Sequence, residues 1–204
     1  MAPRAAAPHS AWRGLLEVPL VAGLAIVIVI VLRAVLVQPF YIPSASMVPQ
    51  LEINDKIVVS RVSYRLHGPR RGDIVVFDRP PGAALDTGTL APRTSPWRWA
   101  TERLGLVPRT DEFVKRVVAL PGETVEGRGG HVYVNGRLLV EPYLRPELRT
   151  DPFAARVVPR GDLWVMGDNR GDSEDSRYFG PIRERTVVGR AVLKVWPLSA
   201  VSFL

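Results

Sequence analysis

Between Leu15 and Val37 the chain runs for 23 residues with only two charged side chains, Glu17 and Arg33, and almost everything else is aliphatic. As a helix, such a run reaches about 34 Å, enough for the hydrocarbon core of a bilayer. An interfacial helix would gather its charges on one face, whereas these two are sixteen positions apart, about 160° around the helix, one near each end. Pro19 falls in the first turns, where proline costs least, and Trp12, Phe40 and Tyr41 bracket the run as interfacial aromatics do. One transmembrane helix over 15–37 is therefore expected, with a tail over 1–14. Arg4, Arg13 and the amino terminus precede the span, which favours a cytoplasmic N-terminus and an exported bulk over 38–204, single-pass in the cytoplasmic (inner) membrane. A cleavable leader competes, since Ser44-Ala45-Ser46 has a small-x-small pattern, but the apolar run is too long for its core and Pro43 stiffens the approach.

From Ile53 onward the pattern changes to short runs rich in Val and Ile, broken by Gly, Pro, Asp and Asn, which reads as strands and turns. Strands are expected at Lys56 to Ser60, Asp73 to Phe77, Glu112 to Leu120, His131 to Val134, Arg137 to Val140, Leu163 to Met166 and Val187 to Trp196. Asn135-Gly136 marks a tight hairpin. No long helical crossover separates these runs, so the fold class is mainly β, antiparallel and at least partly barrel-like. The proline-dense stretch at about 79–110 reads as an irregular insertion, with one short helix from Ser95 to Leu104. The apolar end from Trp196 to Leu204 is too short to span a bilayer, and either packs on the core or touches the membrane surface.

The 204 residues allow one ordinary domain plus an appendage, and 47% hydrophobic residues exclude a disordered chain. With no Cys, thiolate metal sites, disulfide scaffolds and cysteine nucleophiles are excluded together. The net charge of +7 comes from Arg residues scattered among acids with no basic stripe, so no nucleic acid partner is expected.

Of three His, His9 lies in the tail, His67 in a turn-like Leu-His-Gly-Pro, and only His131 in the exported core, so a Ser-His-Asp triad is poorly supplied. The acids Asp168, Asp172, Glu174 and Asp175 have Ser173 where a calcium loop needs Gly, and neither a metal nor another cofactor is expected. Ser with Lys remains. Ser44 and Ser46 lie between Pro43 and Pro49, just beyond the apolar span. The exported part holds Lys56, Lys115 and Lys194. A lysine is protonated near pH 7 and serves as a base only if it loses solvent. Strand alternation places Lys115 on the face of Phe113 and Val117, an apolar setting, with Arg116 turned the other way. Lys56 adjoins Asp55 and is expected to stay charged; parity alone does not reject Lys194, between Val192 and Trp196. The three Arg-Gly-Asp triplets, at Arg71, Arg160 and Arg170, read as ordinary turn chemistry.

Taken in order, Pro43-Ser44-Ala45-Ser46-Met47-Val48-Pro49, Asp55-Lys56-Ile57-Val58-Val59, Arg71-Gly72-Asp73-Ile74-Val75-Val76-Phe77, Val114 to Glu123 and Gly167 to Arg177 resemble the motifs of bacterial type I signal peptidases. The resemblance covers roughly Gln38 to Pro197, and the last motif is highly specific. Ala45 stands where Gly is usual, Gln50 where Thr is usual and Asn54 where Gly commonly precedes the Asp; none removes a catalytic group.

The resemblance implies a membrane-bound serine endopeptidase that removes signal peptides from exported preproteins after small-x-small sites. It implies Ser46 as nucleophile and Lys115 as general base, with the Ser44 hydroxyl and Ser46 N–H forming the oxyanion hole. Ser173 would orient the lysine, Asp175 and Arg177 would form a structural ion pair, and Met47 would pack over the lysine stem. Ile42, Pro43, Phe113 and Val114 would wall the substrate pocket. Preprotein signal peptides and membrane lipid are the implied partners; the sequence does not give the oligomeric state, and a monomer is the expectation. Two alternatives stay open: a dedicated pilin or conjugation-factor processing peptidase with the same dyad, and an inactive membrane-tethered β-domain that binds other proteins.

Overall fold

The computed structural model describes residues 19–25, 37–81, 83 and 112–204. The expected tail, most of the expected span, and the insertion with its Ser95–Leu104 helix lie outside the described residues. Residues 19–25 are helical, with Leu20, Val21 and Leu24 exposed. Among the described residues no helix is long and apolar enough to cross a membrane.

Two antiparallel sheets make up the domain. In the larger, β1 (Val37–Tyr41), β2 (Lys56–Ser60), β11 (Val187–Trp196), β3 (Ile74–Asp78), β4 (Glu112–Ala119), β9 (Asp162–Met166) and β10 (Ile182–Arg183) lie side by side in that order, with β12 (Ser202–Phe203) added on β11. The smaller runs β7 (Arg137–Leu138), β6 (His131–Val134), β5 (Thr124–Arg128), β8 (Phe153–Val157). The mainly β, antiparallel expectation holds, without a closed barrel among the described residues. Among the described residues β1 pairs only with β2 and the two-residue β10 only with β9, so the large sheet stays open there.

Strand alternation explains how one sheet serves two cores. Ile74 and Val76 of β3 join Phe40, Ile42, Met47, Leu51, Ile57, Val59 and Ala191, while Val75 and Phe77 join Phe113, Val117, Leu163, Val165 and Ile182 on the opposite face. A third core unites the sheets: Val118, Ala119, Trp164 and Met166 pack against Val125, Val132, Val134 and Val158, with Trp164 stacked on Phe153. Each large apolar side chain buried this way contributes about 1.5–3 kcal/mol.

Where turn chemistry is explicit the sequence reads correctly. Asn135 and Gly136 both have positive φ, 51° and 73°, the signature of the tight hairpin turn between β6 and β7. β1 was hidden in the end of the apolar run, so Val37, assigned from sequence to the span, begins a strand instead. β5 and β8 escaped because Thr-Val-Glu-Gly-Arg alternates with only one large apolar residue, Val125, and the largely exposed Phe-Ala-Ala-Arg-Val carries no alternation. Gly127 of β5 is there for packing: a Cβ would strike the Phe153 ring and come within 2.9 Å of the Asp151 carbonyl.

Candidate active site

Lys115 sits on the central strand β4 between β3 and β9, opposite Val75. It shares the face of Phe113 and Val117, is 1% exposed, and its Nζ lies 5.3 Å from the centre of the Phe113 ring. Its Nζ reaches the Ser46 hydroxyl at 2.7 Å, across 69 residues of sequence. Ser46 is itself 7% exposed, and Ser44 Oγ lies 3.3 Å from Ser46 Oγ. Two hydroxyls and one amine therefore converge at a dry point.

The turn carrying Ser46 is held at both ends. Before it, Ile42 N–H donates to Asp55 O and Asn54 N–H donates to Ile42 O. Asn54 has φ 74°, a left-handed conformation that glycine and asparagine adopt most readily, and its side chain accepts from the Tyr41 hydroxyl. That explains how Asn serves at a position where the resemblance leads one to expect Gly. Asp55 is buried; it accepts from Glu52 N–H at 2.8 Å and pairs with Lys194 Nζ at 3.1 Å. Lys194 also donates to Gln50 O at 3.2 Å, so this second lysine is committed to a carboxylate and a carbonyl. Lys56 is exposed, 5.5 Å from the Trp196 ring centre. His131 is exposed and His67 bonds its neighbouring carbonyl.

From the other side, the turn after β9 closes on the serine. Asn169 N–H donates to Ser46 O at 3.0 Å and its side-chain amide donates to Ala45 O at 3.2 Å. Gly167 makes that approach possible, because a Cβ there would overlap Ser173 Oγ and sit 2.5 Å from Ser46 O. Asp175 Oδ2 accepts from Gly167 N–H at 2.9 Å, and Asp175 is ion-paired with Arg177 at 2.9 Å. Asp175 also caps the single helical turn Ser176–Phe179. Behind Lys115, Arg116 meets the fully buried Asp168 through two hydrogen bonds, at 2.8 and 2.6 Å. Burial pushes the Asp168 carboxyl upward and Arg116 opposes that shift. For Arg170 burial works downward, but hydrogen bonds and charge from Glu141 outweigh it and hold the guanidinium above its ordinary value.

The expected residues thus differ in where the fold places them. Ser44, Ser46 and Lys115 are brought together, and Asp175 with Arg177 forms the ion pair behind them. Ser173 is buried beside Gly167, but its hydroxyl makes no hydrogen bond here, so the orienting contact with Lys115 is not made in this geometry. Met47 is fully buried in the core of Phe40, Ile42 and Ile57. Of the pocket residues, Ile42 and the partly buried Val114 belong to that same core, Pro43 is partly exposed next to Ile42, and Phe113 lies on the opposite face, against Phe77 and Phe179. Sequence reading missed Asn169, the Arg116–Asp168 pair and the Lys194–Asp55 pair as parts of the site. The signal was present only as polar and charged residues inside strand and turn patterns, and pairing across more than 50 residues is not visible in one sequence. No cluster of His, Cys, Asp or Glu able to hold a metal occurs among the described residues.

The family model described as "Signal peptidase, peptidase S26" matches residues 15–196. Signal peptidase I of Leptolyngbya laminosa is 37% identical over 89% of this chain and 80% of its own. A probable signal peptidase I of Synechocystis is 35% identical over 97% of this chain and 79% of its own, and signal peptidase I of Mycobacterium tuberculosis is 35% identical over 94% and 76%. A match across nearly the whole domain, on a chain whose Ser46 and Lys115 meet in a buried bond, means that this chain belongs to the S26 signal peptidase family and is a serine endopeptidase of the signal peptidase I type.

Proposed function

We propose that the chain is a membrane-anchored endopeptidase that cleaves signal peptides from exported preproteins after small-x-small sites, with Ser46 as nucleophile and Lys115 as general base. The observation that carries this reading is the 2.7 Å bond between a 1% exposed amine and a 7% exposed hydroxyl. In the reactive state the neutral amine accepts the Ser46 proton as Oγ attacks the scissile carbonyl. The resulting ammonium then protonates the leaving amine, and water, deprotonated by the same lysine, releases the acyl group. Ser44 Oγ and Ser46 N–H are the donors for the developing oxyanion; Ser46 N–H bonds no backbone carbonyl among the described residues. One such donor contributes about 3 kcal/mol. Pro43 and Val114, both partly exposed, are the expected pocket residues open to a substrate strand, while the buried Ile42 and Phe113 back the site from opposite faces of the sheet; Ser173 is the hydroxyl assigned to orient the amine.

Anchoring by 15–37, with the N-terminus cytoplasmic, sets the site at the outer face of the cytoplasmic membrane, where a precursor presents its cleavage point just beyond its own apolar segment, and raises the local concentration of both. The bonded Ser46 and Lys115 speak against an inactive binding domain. The test is cleavage of a preprotein by the full chain in detergent: Ser46→Ala abolishes it, and a bulky residue placed one or three positions before the cut blocks it. Unchanged cleavage by Ser46→Ala would refute the assignment.

A further inference from the structure

Five side chains next to the Ser46–Lys115 pair close a polar ring that the cleavage chemistry does not itself use. Arg116 follows Lys115 on β4 and points to the other face of the strand. Besides its two bonds to Asp168, its Nη1 donates to Gly72 O at 2.8 Å, and its guanidinium lies 3.9 Å over the Tyr143 ring. Tyr143 donates its hydroxyl to Glu141 Oε1 at 2.8 Å. Glu141 accepts both Nη groups of Arg170, at 3.0 and 2.5 Å. Arg170, 1% exposed, also donates to Thr150 Oγ1 at 2.9 Å and to Gly167 O at 3.0 Å. Asp168 and Arg170 flank Asn169, so the ring closes through the turn that grips the Ala45 and Ser46 carbonyls.

Such a ring is a costly way to hold two sheets together. A buried ion pair adds little net stability over apolar packing of the same volume, whereas a satisfied polar network fixes one geometry. Tyr143 and Glu141 sit after β7, in the chain that leaves the small sheet, and hold the two arginines. Their reach to the reacting atoms runs through two arginines and one turn.

We propose that Glu141 and Tyr143 are positioning residues for peptide cleavage: they hold Arg116 and Arg170, these fix the 168–170 turn, and Asn169 of that turn keeps Ser46 Oγ against Lys115. This rests on the reading of Ser46 and Lys115 as the reacting pair. Tyr143→Phe is the mild probe, because it keeps the ring under Arg116 and removes only the hydroxyl bonded to Glu141. Glu141→Gln is the second, keeping acceptor oxygen and removing charge.

The experiment measures kcat and KM for a preprotein with a small-x-small site, using the full chain in detergent, alongside urea unfolding of each variant. Tyr143→Phe is expected to lower kcat about tenfold with KM within about twofold, since a small misplacement of reacting groups costs rate and not binding. Combined with Asn169→Ala, it is expected to fall no more than about twofold below the slower single variant, because both act through one turn. Wild-type kcat in Tyr143→Phe, or losses that multiply in the double variant, would overturn the proposal. If Glu141→Gln fails to fold, Tyr143→Phe and the double variant decide. Ser46→Ala in the same assay separates the two levels: if it still cleaves, the assignment of the reacting pair fails, and if it is dead while Tyr143→Phe is wild-type, only the positioning role fails.

Discussion

Asn169 donates its backbone N–H to the carbonyl of Ser46 at 3.0 Å, so the turn leaving β9 is fastened to the residue whose hydroxyl meets Lys115. The two residues are 123 positions apart in sequence, and the short approach between their backbones is set by Gly167.

Gly167→Ala is therefore expected to damage cleavage more than fold. The added Cβ would overlap Ser173 Oγ and lie 2.5 Å from Ser46 O, and relieving the clash must push the Ser46 turn away from Lys115. Overpacking of this kind costs about 1–3 kcal/mol, while the rate is expected to fall about a hundredfold. Initial cleavage rates and thermal melts of the same preparation check both figures.

Lys194→Met is expected to destabilise the domain by about 3–5 kcal/mol. It leaves the buried Asp55 carboxylate without its cation, on the loop that begins at Ile42 and carries Ser46. Asp55→Asn in the same chain should restore part of the loss, because the uncompensated charge is gone. Urea midpoints of the two variants give the answer, and a single variant as stable as wild type would remove the pair from the description of the site.

Stability is expected to decline in alkali. Burial, then the charge and hydrogen bond of Asp73, hold the Tyr64 phenol above its ordinary value, and burial, then Glu141, do the same for Tyr143. The folded chain keeps these protons at pH values where the unfolded chain, titrating near pH 10, has lost them. The stabilisation is complete below pH 10 and is lost as pH climbs toward the folded-state values. Unfolding free energies at pH 8.5 and 11 should fall in that order, and Tyr64→Phe should flatten the slope.

The readable parts of the fold were those specified by local chemistry. Residues Val187–Trp196 and Lys56–Ser60 alternate or run apolar between turn residues, and both strands lie where the pattern puts them. Lys115 could be set on the face of Phe113 and Val117 because parity along a strand is a local property. How far the sheet curls was not legible, because no local pattern states whether β1 and β10 will meet. Lys194 illustrates the same limit. Its parity matched that of a buried base, and only the arrival of Asp55 from 139 residues away fixes it as a paired ammonium. Glu141, Tyr143 and Asn169 were invisible for the same reason.

The most direct measurement is the cleavage rate of the full chain carrying Lys115→Ala, with folding verified by its melting curve. Removing the base is expected to lower kcat on the order of a thousandfold or more, as far as Ser46→Ala lowers it to within the background of the assay. A folded Lys115→Ala variant that keeps more than about a tenth of the wild-type rate would show that some other group takes the serine proton.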